Sequence, residues 1–148
     1  MHTSLQIIDH IQTDTKIIDE ISLSYEDRFI RRKKLIANNG TEFLVNLEET
    51  KSVDENYYFK LDSGEAIKVI SKEENLIQIT GDNIKQIIWH IGNRHLPCQI
   101  EESRILIQED SVIKEMIIKL GGNVTNVVEK FKPEGGAYGM GRTHSHQH

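Results

Sequence analysis

The side chains best placed to do chemistry in this chain of 148 residues are histidines. Three stand on alternate positions near the end, His144-Ser145-His146-Gln147-His148, and two more, His90 and His95, bracket the segment Ile91-Gly92-Asn93-Arg94. A neutral imidazole is a good ligand for nickel, zinc or copper. In extended backbone, alternate residues point to one side, so the three terminal histidines can converge on one ion. The same three residues also read as a solvated tail. His95 lies one helical turn beyond Ile91 if a helix continues through it. If Gly92 ends that helix, His95 sits in the exit loop before Leu96-Pro97. A lone histidine there reads as a hydrogen-bonded edge residue unless a second copy of the chain brings its own His95 to the same point, as a two-fold interface does. His90 falls off the apolar stripe and reads as packing or support. Cys98 reads as a small buried hydrophobe, with a thiolate ligand as the alternative.

Other chemistries find no footing. There is no Cys-x-x-Cys, His-Glu-x-x-His, Gly-x-Ser-x-Gly or phosphate-loop pattern. Glu48-Glu49 and Glu101-Glu102 are adjacent pairs, and neighbours on a strand face opposite sides, so neither pair suits acid–base work on one substrate.

These residues need a scaffold, and the pattern predicts an α+β chain in two modules. Residues 1–75 read as a small β domain. Asn38-Asn39-Gly40 and Asp62-Ser63-Gly64-Glu65 are turn signals, each between runs of strand formers. Residues 76–131 read as βαββαβ, a ferredoxin-like arrangement. Leu76–Thr80 opens it. Asp82 is the expected N-cap of a helix whose Ile84, Ile87, Ile88 and Ile91 follow the spacing of one apolar face, with Gly92 or Pro97 as its stop. Gln99–Glu102 and Ile105–Ile107 form a hairpin. Asp110 or Ser111 caps a second helix, Gly121-Gly122 closes it, and Val124–Val128 is the last strand. Residues 132–148, with four glycines and little to bury, read as a flexible His-bearing tail.

Composition narrows the function classes. The chain carries 18 basic and 23 acidic side chains, a balance of −5, which gives no global attraction for nucleic acid. The excess acid lies in residues 1–75, with 10 basic against 15 acidic, while residues 76–148 balance at 8 each and hold five of the seven histidines. One dense basic run, Arg28, Arg31, Arg32, Lys33 and Lys34, reads either as the solvated face of an edge strand or as a dock for an acidic partner or RNA. No apolar run is long enough to cross a bilayer, the first residues lack a signal-peptide pattern, and a single cysteine suits a reducing cytoplasm.

Trp89-His90-Ile91-Gly92-Asn93-Arg94-His95-Leu96-Pro97, followed by Gln99-Ile100, resembles the Gly-Asn-Arg-His segment of the UreE family of urease accessory proteins. Phe131-Lys132-Pro133-Glu134-Gly135-Gly136-Ala137-Tyr138-Gly139 and the His-bearing end are similar to that family too, and the likeness spans about residues 82–146. The resemblance implies a nickel metallochaperone, not an enzyme. Such a protein binds Ni2+ as a homodimer and passes it to the urease apoprotein with the urease accessory GTPase complex. It implies that the β domain holds protein partners and that the ferredoxin-like domain dimerises and binds metal. His95 then maps to the interface ligand, and His144, His146 and His148 to tail ligands, with Zn2+ or Cu2+ able to substitute in vitro. The family often carries a histidine where Ser111 stands here, and some members have histidines in the preceding strand, where Ile105–Gln108 has none, so further metal sites are not expected there. A metal-dependent hydrolase using the same histidines and a protein-interaction module with incidental histidines are the competing readings.

Overall fold

The computed structural model describes residues 1–134; His144, His146 and His148 lie outside the described residues, with the rest of the expected tail from 135 onward. The described chain is mixed α+β, with two sheets and two α-helices, and it divides into two compact units at Lys72/Glu73.

The first unit is a six-stranded sheet. Its strands are β1 (His2–Ile8), β2 (Ile17–Leu23), β3 (Phe29–Ile36), β4 (Glu42–Ser52), β5 (Tyr58–Leu61) and β6 (Ala66–Ser71), in the order β2-β6-β5-β1-β4-β3. Both turn signals connect antiparallel neighbours: β3 to β4 across Asn38–Gly40, and β5 to β6 across Asp62–Glu65. The pairs β1–β4 and β2–β6 are parallel. Alternating side chains such as Phe43, Val45, Leu47, Phe59, Ile67 and Val69 fill one core. The buried Asp19 is satisfied by the first turn: its carboxylate accepts from the backbone N–H groups of Asn39 at 3.1 Å and Thr41 at 3.3 Å, and from Glu20 N–H at 2.8 Å. Burial alone would push this carboxyl up, but the hydrogen bonds from Thr41, Glu20 and Asn39 outweigh it and hold the group below its ordinary value.

The basic run needs one correction. Arg31, Arg32, Lys33 and Lys34 are exposed on the edge strand β3, but Arg28 precedes it in a 3-10 turn and is only 5% exposed. Its guanidinium donates to Ser71 Oγ at 2.9 Å and lies 5.7 Å from the Tyr25 ring centre, so it belongs to the core.

The second unit follows the order β7 (Glu73–Thr80), α1 (Ile84–Asn93), β8 (Gln99–Ile100), β9 (Ile105–Gln108), α2 (Ser111–Lys119), β10 (Asn123–Lys130). The four strands are antiparallel neighbours in the order β10-β7-β9-β8. Ile77, Ile79, Ile105 and Ile107 alternate onto one face, where Ile87 and Ile91 of α1 and Ile113 and Ile117 of α2 cover them. Leu76 and Leu106 alternate to the other face and are fully buried as well. The chain after β10 returns over that second face. Fully buried Phe131 is followed by Lys132, whose N–H donates to Gln99 Oε1 at 2.8 Å, and by Glu134, whose N–H donates to the Cys98 carbonyl at 2.8 Å. Residues 132–134, assigned from sequence to the tail, are therefore bonded to β8 and the residue before it.

Capping separates the two helices. Asp110 caps α2 as expected, accepting from Val112 N–H at 2.9 Å and Ile113 N–H at 3.1 Å. Asp82 does not cap α1. Asn83 holds the cap position without a side-chain bond to the helix, because its amide Nδ2 donates instead to the Leu120 carbonyl at the end of α2. A tie between the helices has replaced a local cap.

Candidate metal centre

The geometry around His95 begins with how α1 ends. The helix runs through Gly92 to Asn93, so Gly92 is not its stop. Past the cap residue Arg94, His95 N–H donates to the Gly92 carbonyl at 3.0 Å and Leu96 N–H donates to the Ile91 carbonyl at 3.3 Å. This paired closure is a Schellman motif, and it requires a left-handed residue at the position held by His95. His95 indeed has φ = 58°. The end of α2 has the same closure: Gly121 N–H to Ile118 at 3.0 Å and Gly122 N–H to Ile117 at 2.9 Å, with Gly121 at φ = 89°. Glycine fills that position without strain, whereas a side chain there costs about 1 kcal/mol. The sequence thus places an imidazole where helix geometry prefers glycine. Leu96 packs against the core that contains Ile91, which fixes the loop from beneath and leaves His95 exposed.

His95 is flanked in sequence by His90, Arg94 and Cys98. His90 is one turn back, its ring edge-on to exposed Trp89 with centroids 5.1 Å apart. Arg94 Nη1 donates to the His90 carbonyl at 3.2 Å, drawing that guanidinium along the helix end. Cys98 is half-buried, and burial, aided by Glu134, pushes its thiol up from the ordinary range. Glu101 is committed to Arg104 rather than to acid–base work: Arg104 Nε donates to its Oε1 at 2.9 Å. Hydrogen bonding to Arg104 holds both Glu101 and Glu129 below the usual carboxylate range.

Among the described residues no three His, Cys, Asp or Glu side chains converge on one point. The structure brings the end of the described chain close to this loop, because Glu134 is bonded to Cys98, three residues after His95. Sequence spacing did not foresee that bond. The buried aromatic Phe131 after an amphipathic strand was its one visible sign.

The likeness of this second unit to known proteins is specific. Residues 74–148 match the family model described as "UreE urease accessory protein, C-terminal domain". A urease accessory protein UreE of Ruegeria pomeroyi is 51% identical over 130 residues, covering 88% of this chain and 87% of its own. Proteins of the same name from Rhodobacter capsulatus and Paracoccus denitrificans are 47% and 40% identical, covering 88% and 84% of this chain and 83% and 79% of theirs. The chain belongs to the UreE family of urease accessory proteins. UreE proteins are accessory chaperones and not enzymes, so the role of this family member lies in urease maturation. The left-handed His95 closure and the bonded segment 131–134 both fall within the UreE match. No helix among the described residues is long and apolar enough to cross a membrane.

Proposed function

We propose that this UreE-family chain is a nickel metallochaperone: two copies meet about a two-fold axis, share one Ni2+ between their His95 imidazoles, and deliver it to the urease apoprotein together with the accessory GTPase complex. The observation that carries the reading is the exposed imidazole of His95 in a left-handed position that glycine would fill without strain. Strain of that kind persists where a side chain is needed for function. A single imidazole is a weak ligand, and two-fold symmetry makes it a pair. His144, His146 and His148 supply the closing ligands. Few neutral donors suit transfer, because each can be exchanged in turn for a ligand of the acceptor. Zn2+ or Cu2+ enters the same ligands in vitro, and copper binds them more tightly, so nickel specificity rests on supply in the cytoplasm and on partners.

The strand order β10-β7-β9-β8 with both helices on one face supports reading residues 76–131 as a ferredoxin-like domain that carries dimerisation and metal. Residues 1–75 then serve as the partner-binding β domain. The test is nickel titration of the full chain, of His95→Ala and of a chain ending at Met140. The full chain is expected to take one tight ion per dimer, His95→Ala to lose the tight site, and the shortened chain to bind more weakly while still dimerising. Equal tight binding by all three refutes the assignment.

A further inference from the structure

The six-stranded sheet of the first unit ends in two very different edges, β2 and β3. The β2 edge is taken up by the β3–β4 turn: Asn38 N–H donates to the Glu20 carbonyl at 2.7 Å, and Ser22 N–H donates to Asn38 Oδ1 at 3.2 Å. Beyond β3 no further strand pairs among the described residues. The turn also fixes which backbone groups of β3 face outward. Ala37 N–H donates to the Thr41 carbonyl at 2.8 Å, which makes these two a hydrogen-bonded pair. Bonded and non-bonded pairs alternate along an antiparallel ladder. Leu35 with Phe43 and Lys33 with Val45 are then the bonded pairs, and the N–H and C=O groups of Arg32, Lys34 and Ile36 point away from β4.

This edge is also the cationic part of an acidic unit. Arg31, Arg32, Lys33 and Lys34 are all exposed. By strand alternation Lys33 stands on the side of buried Leu35, with Arg32 and Lys34 on the other, so both faces of the edge carry positive charge. Arg32 Nε donates to Asn46 Oδ1 at 2.9 Å and Lys34 pairs with Glu42 at 3.1 Å. Arg31 and Lys33 enter no ion pair among the described residues. These four are taken from the 10 basic side chains of residues 1–75, which leaves 6 against 15 acidic ones in the rest. A single inward charge or a bulge is enough to keep an edge from pairing with its own kind, and β3 already has a bulge between Ile30 and Arg32. Four cations in a row exceed that need and complement a strand of opposite charge.

We infer that the β3 edge docks an extended acidic segment of a partner protein, which joins the sheet as a further strand. This rests on reading residues 1–75 as the partner-binding domain, and it names that domain's surface and the chemistry it selects. The outward N–H and C=O groups of Arg32, Lys34 and Ile36 supply the ladder, and alternate Asp or Glu side chains of the segment meet Arg32 and Lys34 on one face or Lys33 on the other. RNA fits this edge less well. No aromatic side chain stands from Ile30 to Ile36 for a base to stack on, and the acidic surroundings repel a phosphate chain that runs past the four cations.

The probe is a fluorescent peptide of alternating Glu and Thr, about eight residues long to match β3, titrated into the full chain at low salt and followed by anisotropy. The parent is expected to bind it with a Kd below about 100 μM, more weakly as salt rises. The double variant Arg31→Glu, Lys33→Glu changes two exposed side chains outside any ion pair and is expected to bind about tenfold more weakly, with urea denaturation unchanged. The same peptide with every amide N-methylated keeps its charge but cannot complete a ladder, and is expected to bind the parent about threefold or more weakly than the unmodified peptide. No binding by the parent, or equal binding by the double variant, overturns the inference. Equal binding of the N-methylated peptide overturns strand addition, and tighter binding of an oligouridylate than of the peptide assigns the edge to RNA. The same proteins are titrated with urease apoprotein. If that protein binds parent and double variant alike while the peptide binds neither, the β3 edge fails and the partner-binding reading stands; if the parent binds neither, both fail.

Discussion

At the scale of single residues, His95 sets the terms. Its left-handed backbone opposes stability and its imidazole serves binding, so the two separate on substitution. His95→Gly is expected to raise the stability of the second unit by about 1 kcal/mol, read by urea denaturation, while removing the tight nickel site. A substitution that lowers stability instead would show that His95 makes structural contacts worth more than its strain. The spacing of His95 from Ile91 left open whether it continued a helix or sat in a loop, because the residue that normally marks the closure is glycine and Gly92 stood nearby as a decoy. Resemblance to a family segment, not periodicity, singled out His95 as the expected ligand. Arg28 was misread for a related reason: its neighbours in sequence are exposed cations, but its partner Ser71 is 43 residues away.

At the scale of elements, local signals were legible where local chemistry decides. The turns at Asn38–Gly40 and Asp62–Glu65, the Asp110 cap and the Gly121 closure all lie where the sequence puts them. The parallel pairings of β1 with β4 and β2 with β6 were not legible, since they join segments about 40 to 50 residues apart with no turn between them to read. Two substitutions test the element packing. A Cβ at Gly122 would stand 2.7 Å from both Ile117 Cγ2 and Ile87 Cδ1, wedging α1 from α2. Gly122→Ala is therefore expected to destabilise the second unit by about 1–3 kcal/mol in urea denaturation. Asp19→Asn removes a carboxylate whose folded value lies below the ordinary 3.8. Such a group adds stability above its unfolded value and loses it as pH falls through the folded one. The variant is expected to melt below the parent at pH 7, with the gap narrowing below about pH 4. A gap that is constant with pH would mean that packing, not charge, holds the turn.

At the scale of the whole molecule, the proposed function draws on more than one chain. The described residues of one copy bring no complete set of metal ligands together; in the proposed dimer, two-fold symmetry and the tail supply the rest. Protons compete with nickel for imidazole, so capture measured by titration is expected to weaken as pH falls below about 6. Tight binding undiminished at pH 5 would point to carboxylate ligands instead. The most direct measurement is nickel-edge X-ray absorption on the metal-loaded chain ending at Met140, where no tail histidine remains to contribute. Two imidazole nitrogens per nickel, with one nickel for two chains, is the predicted result; one imidazole or none, or one nickel on each separate chain, would contradict it.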